Sequence, residues 1–240
     1  MKKSVVVLTI FCGTVISLWI GARLTGALQY YKVATPANEP TLKVGAHFLV
    51  SNLKSYSPGN FIAYTNSYLD SLNSTYMENY KPGSHYLYRL CAIPGDLIEM
   101  KNGILFVNGR NFDEGLNLKN QFRFSVHEFD AIEEEDKPTN DYDVQHTNQN
   151  GDSLIVAFDW VMVKKYQGKL KFTPYILTDT TQGPFKWLDK NSTWTADNFG
   201  PLKIPANSYF GLGDNRHNAM DSRYTGFIKK DDIKGVVLYK

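Results

Sequence analysis

Between Val5 and Ala22 the chain carries no charged residue, and Met1-Lys2-Lys3-Ser4 stands just ahead of this run. No other segment so narrows what the protein can fold into. As a helix the run spans about 27 Å, close to the roughly 30 Å hydrocarbon core of a bilayer. It is apolar on every face, whereas a helix of a soluble core keeps a polar stripe. Lys2, Lys3 and the terminal amine predict an N-terminus in the cytoplasm and a main domain beyond the inner (cytoplasmic) membrane; Arg23 on the far side opposes that orientation. A cleavable secretory signal is the competing reading. Its apolar region is shorter, about 7–15 residues, and Thr25-Gly26-Ala27 makes a poor cleavage site. The expectation is a single-pass anchor and linker over residues 1–32.

The remainder turns β-rich. His47–Ser51, Phe61–Tyr64 and Tyr86–Ile93 are short apolar and aromatic runs bounded by Gly, Pro, Ser and Asn. Leu97–Met100 and Ile104–Val107 flank Asn102-Gly103, a strong hairpin signal. Tyr209-Phe210 and Val236–Tyr239 supply late strands. From Asn111 to Gly200 the composition shifts: Glu133-Glu-Glu-Asp136 is an acidic block that reads as a solvated face, and Leu154–Phe158 with Val161–Val163 suits strands or one side of a helix. The spacing predicts a mainly β protein, with a core from 33–110 plus 201–240 and an inserted subdomain over 111–200.

Charge and cysteine content exclude some functions. The 240 residues carry 26 Lys and Arg against 24 Asp and Glu, a net charge of +2, so no basic surface for nucleic acid is expected. Two cysteines are too few for a disulfide scaffold or a four-thiolate zinc site. Cys12 lies in the apolar run and Cys91 in a strand-like run, so they read as two unpaired, inert thiols. His47, His85, His127, His146 and His217 show no metal-ligand spacing. No metal and no cofactor are expected.

Three motifs stand in order along the chain: Glu39-Pro-Thr-Leu42, Tyr88-Arg-Leu-Cys-Ala-Ile-Pro-Gly-Asp96, and Gly213-Asp-Asn-Arg-His-Asn-Ala-Met-Asp-Ser-Arg-Tyr-Thr-Gly-Phe227. Together they resemble the type I signal peptidases, membrane-anchored serine endopeptidases that remove signal peptides from exported proteins. The third segment is the specific one, with many fixed positions in 15 residues. The resemblance implies a signal-peptidase-like β core with a variable insertion, hydrolase activity, and signal-peptide-bearing precursors as partners. It also implies a Ser-Lys pair, in which a lysine kept neutral by burial takes the serine proton.

The chain departs from that pattern where the chemistry lies. The family reads Ser-Met-x-Pro-Thr around the nucleophile. Without a gap, Ala37 takes the serine position; with a gap between Asn38 and Glu39, which keeps Glu39 in register, Ser-Met is missing. The gapped register is the one preferred on sequence, and neither contains a serine. Tyr88 stands where the lysine should be, and Ala219 where many members carry a serine that bonds the lysine. A phenol is a poor substitute, because its neutral form is an acid. The expectation is a pseudoenzyme with no catalytic residue retained, holding a signal peptide or a membrane partner in the old groove by strand addition. Two alternatives stand beside it: an active peptidase with a displaced nucleophile (Thr35, or Ser222 paired with His217), and a membrane-anchored scaffold working through 111–200. His217 otherwise reads as a solvated loop residue. Asp214, Arg216, Asp221 and Arg223 alternate in sign within a short loop, and charge-assisted Arg–carboxylate bonds are expected to hold that loop against the core.

Overall fold

The structure, a computed structural model, describes residues 2–146, 152–180 and 184–238. Helix α1, Lys2–Thr25, is exposed along its length and is long and apolar enough to cross a membrane. Its threonines do not leave polar groups open to an apolar surround. The Thr9 hydroxyl donates to the Val5 carbonyl at 2.9 Å and that of Thr14 to Ile10 at 3.0 Å.

Beyond α1 the protein is mainly β. Strands β1 (Gln29–Lys32), β2 (His47–Ser51), β3 (Phe61–Tyr64) and β4 (Tyr86–Ala92) join β13 (Ser208–Leu212), β14 (Ile228–Lys229) and β15 (Ile233–Val237) in one sheet. Its order is β1-β2-β15-β3-β4-β13-β14, with antiparallel neighbours. The last segment of the chain thus wedges between the first strands, and the central runs are buried on both faces, which explains their continuous apolar character. A second sheet, β12-β5-β6-β7, is formed by β5 (Leu97–Lys101), β6 (Ile104–Val107), β7 (Arg110–Asn111) and β12 (Phe199–Lys203). Asn102 and Gly103 turn the β5–β6 hairpin with φ of 49° and 80°, the left-handed pair such a turn demands. Ile98, Met100, Leu105, Phe199 and Phe210 pack between these two sheets around Phe185.

The third sheet, β11-β8-β10-β9, comprises β8 (Lys119–Ser125), β9 (Val144–His146), β10 (Ser153–Asp159) and β11 (Phe172–Pro174). The run that suited strand or helix is both. Leu154–Phe158 lies in β10, then Asp159 caps a helix at Trp160–Tyr166 by accepting from the Met162 amide at 2.9 Å. Phe122, Phe124, Val156 and Phe158 pack with Val163 and Tyr166 of that helix. The acidic block is tethered as well as solvated: Lys165 bonds Glu133 and Asp136, each at 2.5 Å.

One helix escapes the sequence reading. Ser67–Tyr76 opens on Asn66, whose side chain accepts from the Leu69 amide at 3.0 Å. The helix stands between β3 and β4 and, with the loop after it, forms one wall of the cleft described next.

Candidate functional site

Most of the polar residues of the third motif are bolted inward. Asp214 receives Arg89 at 2.7 Å through Nε and at 2.5 Å through Nη2, and the Thr41 hydroxyl also bonds it. Arg89 gives its remaining nitrogen to the Gly59 carbonyl and covers the Phe61 ring at 4.4 Å. Arg216 forms a fork onto Asp113 at 2.9 and 2.5 Å, and Arg223 binds Asp221 at 2.8 Å through both Nε and Nη2. These side chains are almost wholly buried, so each charge depends on its partner. Burial alone would lower the pKa of Arg223; Asp221 outweighs it and holds the guanidinium above its ordinary value.

Arg–carboxylate bonds do hold the loop against the core, and Arg223 with Asp221 adds one pair within the loop itself. Asp214 and Arg216 reach across to Arg89 and Asp113. His217 is a correction: its side chain is buried, not solvated. Nδ1 accepts from the Gln121 amide at 3.0 Å, so Nε2 carries the proton and faces Asp197 at 2.9 Å. Sequence reasoning missed both Asp113 and Asp197. Nothing local marks them, since their partners lie 103 and 20 residues away.

Beside this frame Ala37, Tyr88 and Ala219 meet in one apolar cluster with Ile62, Tyr64 and Leu90. Ala37 belongs to a short 3-10 turn, Pro36–Asn38, and its carbonyl accepts from the Asn215 amide at 3.1 Å. Gly213 lies at their meeting point. A Cβ there would run into the Ala37 carbonyl oxygen and the Ala219 methyl, and would stand 3.4 Å from the Tyr88 ring. The Tyr88 ring is buried 6.2 Å from that of Tyr64. Burial first, then Asp221, pushes its phenol far above the usual tyrosine range, while Arg223 and the Met220 amide act the other way. A phenol so placed is no base for a serine proton.

From this cluster a cleft of about 350 Å³ opens between residues 33–38 and 85–88, walled on the far side by Asn73, Met77 and Tyr80. The edge of β4 at 86–88 pairs with β3 on one side only; β13 engages β4 from Arg89 onward. Asn38 fills part of that edge, its side-chain amide donating to the Leu87 carbonyl at 2.7 Å, and its own Oδ1 is buried without a partner among the described residues. Asp70 ties the wall together, accepting from Tyr80 and Tyr86 and from the Gly83 amide. Lys32 lines the cleft but is exposed.

The remaining candidates are Thr35 and Ser222. Thr35 lines the cleft, exposed, just before the 3-10 turn. Ser222 is buried, and its hydroxyl accepts from the Gly211 amide at 3.1 Å; with His217 held by Asp197 and Gln121, the Ser222–His217 pair is not formed. Among the described residues no group of three or more His, Cys, Asp or Glu side chains is placed to hold a metal. Cys12 and Cys91 are free thiols, and burial pushes the latter up to about 12.

A helix of membrane-spanning length leads into two packed β-sheets, with a cleft beside a buried Asp-Arg frame. Residues 3–239 match the family model described as signal peptidase, peptidase S26, and the chain belongs to that family. It is 28% identical over 221 residues to signal peptidase I P of Bacillus subtilis subsp. natto, an overlap covering 91% of this chain and 84% of that one. It is 25% identical over 210 residues to signal peptidase IB of Staphylococcus aureus strain N315, covering 88% and 75%. A crystal structure of a signal peptidase I from Enterococcus faecalis V583 aligns with a TM-score of 0.35 at 20% identity, covering 76% of this chain and 97% of the other.

Proposed function

We propose that this chain is a signal peptidase relative without peptidase chemistry, anchored in the inner membrane by α1 with its N-terminus in the cytoplasm. In this reading it retains signal-peptide segments rather than cutting them. One observation carries the reading: Ala37, Tyr88 and Ala219 converge on Gly213, and among the described residues neither a serine nor a lysine stands at that meeting point. Family membership supplies the expectation of a nucleophile and a base; methyls and a neutral phenol supply neither. The contact of Ala37 with Gly213 favours the ungapped register, with Ala37 in the nucleophile's place and Asn38 in that of the methionine. The half-paired edge of β4 supports strand addition as the mode of retention. Residues 111–200 are then an inserted subdomain around the third sheet.

A signal peptide carrying a photo-crosslinker tests retention on the full chain in detergent. Adducts at residues 33–38 or 85–88, competed by unlabelled peptide, are expected. Adducts only within 111–200 would favour a scaffold role, and none at all would refute retention. Rescue tests the register. Ala37→Ser with Tyr88→Lys and Ala219→Ser should produce some cleavage, whereas a folded but inert triple variant would mean that the groove itself has changed.

A further inference from the structure

The half-paired edge of β4 is short, and its backbone groups can be assigned one by one. The Leu90 amide donates to the Asn60 carbonyl and the Leu90 carbonyl accepts from the Gly59 amide, each at 2.8 Å, so both groups of Leu90 face the β3 side. In an antiparallel pair, residues turned toward the neighbour alternate with residues turned away. Tyr88 and Tyr86 therefore face β3 too, while Arg89 and Leu87 face outward. Leu212 of β13 meets Arg89 there. Among the described residues no strand pairs with the outer side of Leu87. That place is taken by a side chain instead: Asn38 Nδ2 donates to the Leu87 carbonyl at 2.7 Å. A carboxamide is the chemical group of a peptide bond, and here it supplies the N–H that an added strand would bring. The carbonyl also fixes which way the amide points, since turning it over would set two acceptor oxygens against each other.

The other half of the carboxamide is unsatisfied. Asn38 is 3% exposed, and its Oδ1 is buried with no partner among the described residues. A buried acceptor left without a donor costs free energy, which works against the bond to Leu87. The backbone beneath is held firmly. The Asn215 side chain donates to the Pro36 carbonyl at 3.3 Å and its amide to the Ala37 carbonyl at 3.1 Å, while the Leu42 amide donates to the Asn38 carbonyl at 2.9 Å. The side chain of Asn38 is thus the part free to turn. Swung away from the edge, its Oδ1 gains a donor from water or from an arriving backbone, and the Leu87 carbonyl passes to the N–H that displaced it.

We infer that Asn38 is an internal substitute for an added strand, occupying the β4 edge until an extended peptide displaces it from Leu87. The occupant is a peptide in β conformation, because the Leu87 carbonyl needs an N–H donor in return. This rests on the retention reading given above and adds a competitor to it. The cleft is ready for peptide only while Asn38 is turned away, so apparent affinity falls below intrinsic affinity by that fraction.

Stopped-flow binding of a fluorescein-labelled synthetic signal peptide to the full chain in detergent tests this, with Asn38→Ala and Asn38→Asp beside the unaltered protein. The alanine removes the competing amide. The aspartate keeps its size but presents only acceptors to the Leu87 carbonyl, and so leaves the edge. Each variant that folds should bind with a Kd lower by about 3–10-fold, the net worth of one hydrogen bond. The gain should lie in faster association, with dissociation unchanged. A second measurement needs no variant. On the unaltered protein, N-methylation of the peptide at one residue should abolish binding, because that N–H replaces the Asn38 amide. Unchanged association rates in the variants, or faster dissociation, overturn the inference while leaving retention intact. A peptide indifferent to N-methylation at every residue overturns it too. Failure of all three proteins to bind peptide overturns retention and the inference together.

Discussion

Two neighbouring regions of the cleft end of this protein have opposite characters. The frame around residues 213–227 is a set of buried ion pairs, Arg89–Asp214, Arg216–Asp113 and Arg223–Asp221, most of whose nitrogens and oxygens find partners. A few ångströms away the patch of Ala37, Tyr88 and Ala219 offers methyls and one neutral phenol. The first region holds a shape, and its charges cannot be altered singly without stranding a partner in the interior. The second region is an apolar patch, and any apolar group of similar size satisfies its packing. In the proposed reading such a scaffold outlasts its chemistry, because the residues that keep the fold differ from those that would break a bond.

The largest break in this comparison comes from the frame. Asp221→Ala strands Arg223, which is fully buried, and should cost about 3–5 kcal/mol. Denaturant unfolding of the chain in detergent should show a large drop in midpoint; a drop no greater than at an exposed Asp would refute the structural role. Gly213→Ala comes next. Its methyl collides with the Ala37 carbonyl and Ala219, and an overpacking cost of about 1–3 kcal/mol is expected in the same measurement.

Acid sharpens the comparison further. Burial tends to raise the pKa of Asp197, but His217 and the Leu177 amide outweigh it and hold it below its ordinary value near 3.8. The ionised carboxylate thus contributes stability above about pH 4 and loses that contribution as pH falls through the depressed value. In His217→Asn the pKa moves back up, so acid unfolding should begin at a higher pH; an unchanged acid midpoint would contradict the coupling. Tyr88→Phe is the smallest change, removing a hydroxyl touched by the Met220 amide, and should shift stability by less than about 1 kcal/mol.

The contrast also separates what could be read from the chain from what could not. Strand runs such as Phe61–Tyr64, the Asn102-Gly103 turn and the alternating charges of 214–223 are local patterns, and they announced themselves. His217 looked like a surface residue because its acid, Asp197, and its amide donor, Gln121, lie in other segments. Asp113 was illegible for the same reason: only folding brings it to Arg216. The helix at Ser67–Tyr76 carries few apolar residues, and its Asn66 cap, with Leu69, Leu72 and Tyr76 at helical spacing, was the signal passed over. The register around Ala37 turned on a one-step choice between two alignments. The proposed reading takes the ungapped one, because Ala37 packs at Gly213 beside Tyr88 and Ala219.

Cleavage is the most direct test of the central claim. The full chain in detergent, at an amount equal to that of an exported precursor bearing its signal peptide, is followed for product over hours beside an active signal peptidase I. The account predicts intact precursor with this chain and cleaved precursor with the active enzyme. Product that forms with this chain and disappears on Thr35→Ala or Ser222→Ala would contradict it.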